Sequence, residues 1–194
     1  MIAIVKYNAG NIRSVENALN RLGAEAVISD DPSVLASADR LILPGVGEAS
    51  SAMKYLKERN LDQLIKQRTK PTLGICLGLQ LFCAYSEEGK TDCIGIFDEV
   101  VRKFPPEDKV PHMGWNELTD LKGPLFKGLN EGSDVYFVHS FYAEAGTDTA
   151  AVCNYITPFS AALQKDNFYA TQFHPEKSAS IGETILTNFL NIPI

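Results

Sequence analysis

Thr72-Leu73-Gly74-Ile75-Cys76-Leu77-Gly78-Leu79-Gln80 runs from an apolar stretch of strand character straight into a helical pattern, with a cysteine on the corner and a glycine two residues to each side. A strand feeding a helix without a long loop is the unit of a parallel sheet, because parallel neighbours need crossover connections and helices usually supply them. The preceding segments keep this rhythm. Apolar runs at 3–7, 24–29 and 40–43 alternate with helical patterns at 14–22, 33–36, 48–59 and 61–67, before the strand at 72–76. After Gly89 the pattern changes to strand-like runs at 94–104, 135–141, 150–155 and 168–173, rich in β-branched and aromatic residues, and a last helix is expected over 181–191, ahead of Pro193. The expected fold is α/β: a single-domain, three-layer, flavodoxin-like arrangement over 1–194, with a mostly parallel central sheet flanked by helices and an additional antiparallel strand region. Such sheets carry their functional residues at the carboxyl ends of the strands.

Composition narrows the function. A chain of 194 residues with 45% hydrophobic and 22% charged residues is an ordinary globular composition, able to bury about 70% of the surface its unfolded form exposes. No apolar run reaches the roughly 18 residues of a membrane span, and the start, Met1-Ile2-Ala3-Ile4-Val5, lacks the basic region of a signal peptide. A cytoplasmic location without membrane association is therefore expected. The four cysteines, at 76, 83, 93 and 153, form no CxxC pair, which points to free thiols rather than a disulfide scaffold or zinc site. A net charge of −6 without a basic block argues against nucleic acid as a partner.

A cysteine at the junction of strand and helix lies where backbone N–H groups and the helix dipole favour its thiolate. Gly74 and Gly78 occupy the places that the G-x-S-x-G elbow of hydrolases uses for a sharp turn and close helix–strand packing. Alone, Cys76 reads equally as a buried structural thiol. Amide cleavage by a thiolate also needs a base that protonates the leaving amine, held by an acceptor. Of the three histidines, His174 in Gln172-Phe173-His174-Pro175-Glu176 has a carboxylate two residues on; in extended chain these two side chains share a face, and Pro175 disfavours helix at His174. His112 and His139 have no such acid, and for His139 a hydrogen-bonded strand histidine and a site-lining role are equally open. The oxyanion needs donors: the N–H of Leu77, after the nucleophile, and a second from the Pro44-Gly45-Val46-Gly47 turn that ends the 40–43 strand.

Together and in this order, "PGVG", "GICLGLQ" and "FHPEKS" resemble the class I, triad-type glutamine amidotransferases. Within that class, "YNAGNIRSV", the "PHMGWN" loop and "YFVHSF" are similar to the glutaminase subunits of imidazole glycerol phosphate synthases, over almost the whole chain. The resemblance implies Cys76 as nucleophile, His174 as general base and acid, Glu176 as its orienting partner, and Val46, Gly47 and Leu77 around the oxyanion. It implies an L-glutamine pocket from Gly45, Gln80, Glu88, His139, Ser140 and Phe141, the last standing where the family often has tyrosine. It implies no metal or other cofactor, and a heterodimer with a (β/α)8-barrel cyclase subunit that receives the ammonia. Asn11, Pro111, Met113, Trp115, Tyr136 and Lys177 are the expected partner-facing residues. Two rivals stand beside this reading: a subunit of another amidotransferase pathway, which would share the triad but lack the "PHMGWN" loop and the N-terminal "GN" pattern, and a non-catalytic module on the same fold in which Cys76 is only structural.

Overall fold

The computed structural model describes residues 1–194. In chain order its elements are β1 (Ile2–Val5), α1 (Ile12–Arg21), β2 (Ala26–Ser29), α2 (Pro32–Ser37), β3 (Arg40–Leu43), α3 (Ala49–Glu58), α4 (Leu61–Lys66), β4 (Thr72–Ile75), α5 (Leu77–Phe82), β5 (Tyr85–Ser86), β6 (Thr91–Asp92), β7 (Val100–Lys103), β8 (His112–Leu118), β9 (Ser133–His139), β10 (Phe141–Ala143), β11 (Thr149–Tyr155), β12 (Thr157–Lys165), β13 (Phe168–Thr171) and α6 (Ala179–Leu190). A seven-stranded sheet runs in the order β11-β12-β13-β4-β3-β1-β2. Its β13-β4-β3-β1-β2 portion is parallel, while β11 and β12 extend it antiparallel. The fold is the expected α/β architecture.

Side chains alternate across this sheet and both faces are covered, so its strands read as nearly unbroken apolar runs. Ala3, Val5, Leu41 and Leu43 enter one core with α3, α4 and α5. Ile4, Ile42, Leu73 and Ile75 enter the other with α1 and α6. Each core gathers 26 buried residues, drawn from opposite faces of the same strands.

The register decides where the motifs meet. Leu43 pairs with Gly74 and Thr171 with Ile75, so β3, β4 and β13 end side by side. The chain leaves β3 as Pro44-Gly45-Val46-Gly47, β4 as Cys76, and β13 as Gln172-Phe173-His174. Three sequence-distant motifs thus converge because three neighbouring strands stop at one level.

Three expectations need correction. The run at 94–104 forms a strand only at Val100–Lys103; Ile94, Gly95 and Ile96 donate instead to the carbonyls of Leu81, Cys83 and Phe82, satisfying the orphan acceptors at the end of α5. The run at 135–141 breaks at Ser140, with β9 pairing β8 and β10 pairing β7. The "PHMGWN" segment is not a loop: His112–Leu118 is a full strand paired with β9 throughout. Its Gly114 and alternating polar residues conceal a strand whose outer face is exposed. Likewise β12, with Pro158 and Ser160 inside it, carries no clean apolar run.

Close approach at the elbow requires glycine. A Cβ on Gly78 would overlap the Leu43 carbonyl, and one on Gly74 would press on the Gly78 carbonyl at 2.8 Å. Alanine is the better helix former by about 1 kcal/mol, but overpacking costs about 1–3 kcal/mol, and here the obstructing atoms are backbone. Gly78→Ala should therefore lower the urea midpoint of unfolding; an unchanged or higher midpoint would show that α5 can move away from β3 freely.

Candidate active site

Cys76 is the residue between β4 and α5, with φ 53° and ψ −104°, a backbone conformation that residues with a Cβ rarely adopt. It is held there from both sides: its N–H donates to the Thr171 carbonyl at 2.7 Å, and its own carbonyl accepts from Gln80 N at 3.3 Å. The sulfur has two polar neighbours besides the histidine, the Gln172 Nε2 donor at 3.6 Å and the Val138 carbonyl at 3.9 Å. The other three cysteines are also unpaired, but burial pushes Cys83 well up and Cys93 and Cys153 to about 12, so they persist as thiols.

His174 is fully buried, its backbone fixed by donation to the Tyr136 carbonyl at 2.9 Å. Its Nδ1–H donates to Glu176 Oε1 at 2.7 Å, and Nε2 is buried without a hydrogen bond. Glu176 reaches it differently from the extended-chain expectation: Pro175–Lys177 is a single 3₁₀ turn, closed by Lys177 N onto the His174 carbonyl at 3.0 Å. Proline suits the first position of that turn. Burial alone would push His174 down, but the negative charges of Cys76 and Glu176 outweigh it and raise the imidazole to about 10. The imidazole beside the sulfur is accordingly held as an imidazolium.

A cleft of about 200 Å³ opens over Cys76, lined by Val46, Gly47, Leu77, Gln80, Glu88, Val138, His139, Ser140 and Phe141. That is below the 300–1,000 Å³ of drug-sized sites and suits a single amino acid. Every expected pocket residue except Gly45 lines it. Gly45 lies behind the turn, against the Tyr7 hydroxyl, with φ 157°. Tyr7 donates to the Pro44 carbonyl, and burial, then the Cys76 charge, raise the phenol far above its ordinary range. The Gly45 carbonyl accepts from Leu77 N at 3.2 Å and the Val46 carbonyl from Gly10 N at 3.0 Å. The N–H expected to hold an oxyanion is thus occupied by the turn's own backbone. Glu88 accepts from Ala49 N at the start of α3, at 2.8 Å, and burial pushes its carboxyl upward. An open groove of about 500 Å³ elsewhere, near Asn60, Gln63 and Lys70, shares no residue with this cleft. No group of three or more His, Cys, Asp or Glu side chains is placed to hold a metal.

Nothing in the sequence singles out Val138, Gln172 or the role of Asn11 within the site. Asn11, with φ 73°, turns its side chain inward, donating to Glu176 Oε1 and lying 3.4 Å from His174 Nδ1, rather than outward with the expected partner-facing residues. The others share one surface. Met113 and Trp115 are 59% and 55% exposed on β8, Tyr136 opposes Trp115 on β9, Lys177 Nζ stands 6.0 Å over the Tyr136 ring, and Pro111 precedes β8.

His112 and His139 form a different pair. His139 Nδ1 faces the Phe141 carbonyl at 2.7 Å and must carry the proton; its Nε2 then accepts from His112 Nδ1–H at 2.9 Å, and His112 Nε2 accepts from Asn116 at 3.2 Å. His139 is therefore both the hydrogen-bonded strand histidine and a cleft-lining residue. Burial lowers His112 to about 4 and His139 to about 3. Their stabilising contribution is full above the unfolded value of about 6.5 and lost as pH falls toward these values, whereas that of His174 is full below about 6.5 and lost as pH rises through 10. Imidazole ¹⁵N shifts should show His112 and His139 neutral at mildly acidic pH and His174 protonated at mildly alkaline pH; the reverse order would contradict the described environments.

The profile of the family "Glutamine amidotransferase class-I" matches residues 4–192. "Imidazole glycerol phosphate synthase subunit HisH" of Bacteroides fragilis (strain YCH46) is 59% identical over 194 residues, covering 98% of this chain and 99% of that relative. The protein of the same name from Vibrio parahaemolyticus serotype O3:K6 is 47% identical over 199 residues, covering 98% of each. Among solved structures, a chain of PurLQS from Thermotoga maritima superposes with a TM-score of 0.73 at 18% identity, over 98% of this chain and 97% of that one, a likeness of fold. A match of profile and sequence along nearly the full length places the chain in one family: it belongs to the class-I glutamine amidotransferases.

Proposed function

We propose that this chain, acting as one amidotransferase domain over 1–194, is the glutaminase subunit of an imidazole glycerol phosphate synthase. It hydrolyses glutamine and passes ammonia to a cyclase subunit in histidine biosynthesis. The observation that carries the chemistry is the Cys76 sulfur at the elbow beside a buried imidazolium that Glu176 orients. The pathway rests on the similarity to the synthase subunits named above.

The Cys76 thiolate attacks the side-chain carbonyl carbon of glutamine; the S–C bond forms and the carbonyl pair moves onto oxygen. The tetrahedral intermediate collapses with His174 giving its Nε2 proton to the departing nitrogen, which leaves as ammonia. Neutral His174 then takes a proton from water as that water attacks the thioester. Collapse expels the thiolate, releases glutamate and restores the imidazolium. Glu176 holds the tautomer, and Asn11 positions Glu176 by donating to its Oε1. Glu88 faces the substrate's ammonium, while Gln80, whose Nε2 is committed to Phe141 and Gln172, offers only its Oε1 to the cleft.

The resting turn withholds oxyanion support. One rotation of the Gly45–Val46 peptide removes the Gly45 carbonyl from Leu77 N–H and swings the Val46 N–H toward the same space, replacing an acceptor with a donor. Gly45, without a Cβ, permits that rotation. A missing oxyanion donor costs about 2.7–4 kcal/mol, so glutamine turnover by the isolated chain is slow until a loaded partner favours the rotated form. The partner is a (β/α)8-barrel cyclase, docked on Met113, Trp115, Tyr136 and Lys177, and both act in the cytoplasm.

Cys76→Ala should abolish glutamine-dependent synthesis by the complex and leave ammonia-dependent synthesis intact; surviving glutamine-driven turnover would remove Cys76 from the mechanism. Trp115→Ala should weaken cyclase binding at least tenfold by calorimetry, as loss of a central aromatic anchor does, and unchanged affinity would place the interface elsewhere.

A further inference from the structure

We infer that Gln172 is a further catalytic residue, whose carboxamide N–H holds and activates the Cys76 sulfur. The inference rests on the glutaminase reading of the cleft and adds a donor that the triad does not contain.

The orientation of that carboxamide follows from an acceptor that cannot be reversed. The Phe141 carbonyl accepts from Gln80 at 3.0 Å, so the Gln80 atom facing it is Nε2. The same Nε2 reaches the Gln172 side chain at 3.0 Å, which makes its partner there Oε1. Gln172 Nε2 is then left facing Cys76 Sγ, at 3.6 Å. A flipped amide would set two N–H groups against each other at one end. His139 fixes the start of the chain, since its Nδ1–H also donates to the Phe141 carbonyl. Gln172 itself is fully buried, and its backbone N–H donates to the Ala161 carbonyl at 2.8 Å. A carboxamide wholly removed from water, with oxygen and nitrogen each assigned, is a fixed dipole whose positive end points at the nucleophile.

The need for such a donor is visible around the sulfur. The Val138 carbonyl faces it as an acceptor and repels a thiolate. Buried Tyr7 stands on the β1 side, His174 on the β13 side with Glu176 behind it, and neutral His139 on β9. Apart from His174, the Gln172 N–H is the donor that meets the sulfur, and His174 gives up its proton during the first half-reaction. Gln172 retains its own, and can hold the thiolate again when the thioester breaks. A donor that stabilises a thiolate also makes it somewhat less nucleophilic, with a slope of about 0.4–0.5 in log rate per unit of proton affinity. Below the thiol's titration midpoint the gain in thiolate population exceeds that loss.

The test is iodoacetamide labelling of Cys76 in the full chain as a function of pH, followed at each cysteine by peptide mass spectrometry. Gln172→Met keeps the side chain's bulk and removes the donor. It should move the labelling midpoint up by about one pH unit, a tenfold change in proton affinity, and raise the limiting alkaline rate roughly threefold. A purely structural disturbance does not produce that opposed pair of changes. Gln80→Met, which leaves Gln172 in place but frees its amide to turn, should shift the midpoint less and in the same direction, and the double variant should match Gln172→Met alone. A native-like profile in folded Gln172→Met overturns the inference; if that variant does not fold, a native-like profile in Gln80→Met does so. Native Cys76 that resists labelling while the variants also stay inert overturns the glutaminase reading itself, a result distinct from either.

Discussion

The whole site hangs on one backbone residue held where a side chain is unwelcome. Cys76 at φ 53° and ψ −104° carries strain of about 1–3 kcal/mol, and the surrounding structure is built to enforce it. Thr171 and Gln80 grip the Cys76 backbone, while the absence of side chains at Gly74 and Gly78 lets α5 lie directly against β3 and β4. The strain turns the sulfur out of the sheet and into the cleft. Had the chain relaxed into an ordinary turn, strand and helix would remain, but the thiol would no longer face His174.

Around that point the protein sets two pairs of titratable groups into opposite states. His174 and Glu176 are buried together beside Cys76, and charge wins over desolvation. His112 and His139 are buried with carbonyl, amide and aromatic neighbours and no carboxylate, and desolvation wins. In the proposed mechanism one pair supplies a mobile proton; the other keeps its protons still and links the exposed β8 strand to the Phe141 carbonyl. The difference lies in the company each imidazole keeps: Cys76 and Glu176 beside His174, and no acid beside His112 or His139.

The parallel half of the sheet was legible because two of its strand ends coincide with a composition change, Leu43 to Pro44 and Ile75 to Cys76, whereas the expected strand over 168–173 stops at Thr171, where the apolar Phe173 beyond the polar Gln172 extends the apparent run. The elbow, His174 and Glu176 could be read for the same reason, since the spacing of glycines and the proline act locally. The 3₁₀ turn that delivers Glu176 was less legible, because extended and turned chain both bring residues i and i+2 together there. β8 escaped because one of its faces meets solvent and Gly114 interrupts it. Gln172 escaped for a different reason. Its partners, Gln80 and Cys76, lie more than ninety positions away in the chain, and a lone glutamine at a strand end announces nothing until its partners are known. A polar side chain in an apolar strand end does, however, imply a partner somewhere.

In the proposed mechanism, the Gly45 carbonyl resting on Leu77 N–H acts as a bound inhibitor that the chain can never lose by dilution. The loop places its own oxygen against the donor meant for the substrate's, so it competes intramolecularly and at fixed effective concentration. Raising glutamine alone does not displace it, because ground-state glutamine has little of the charge that the donor prefers. Activation must come as a shift of conformer populations, and its ceiling is set by the resting bias: a loop that is open one time in a hundred permits at most about a hundredfold stimulation, equivalent to roughly 2.7 kcal/mol. Tyr7 and Gly10, by tethering Pro44 and Val46, set that bias from outside the cleft. The gain of the switch is therefore encoded in residues that never touch the substrate.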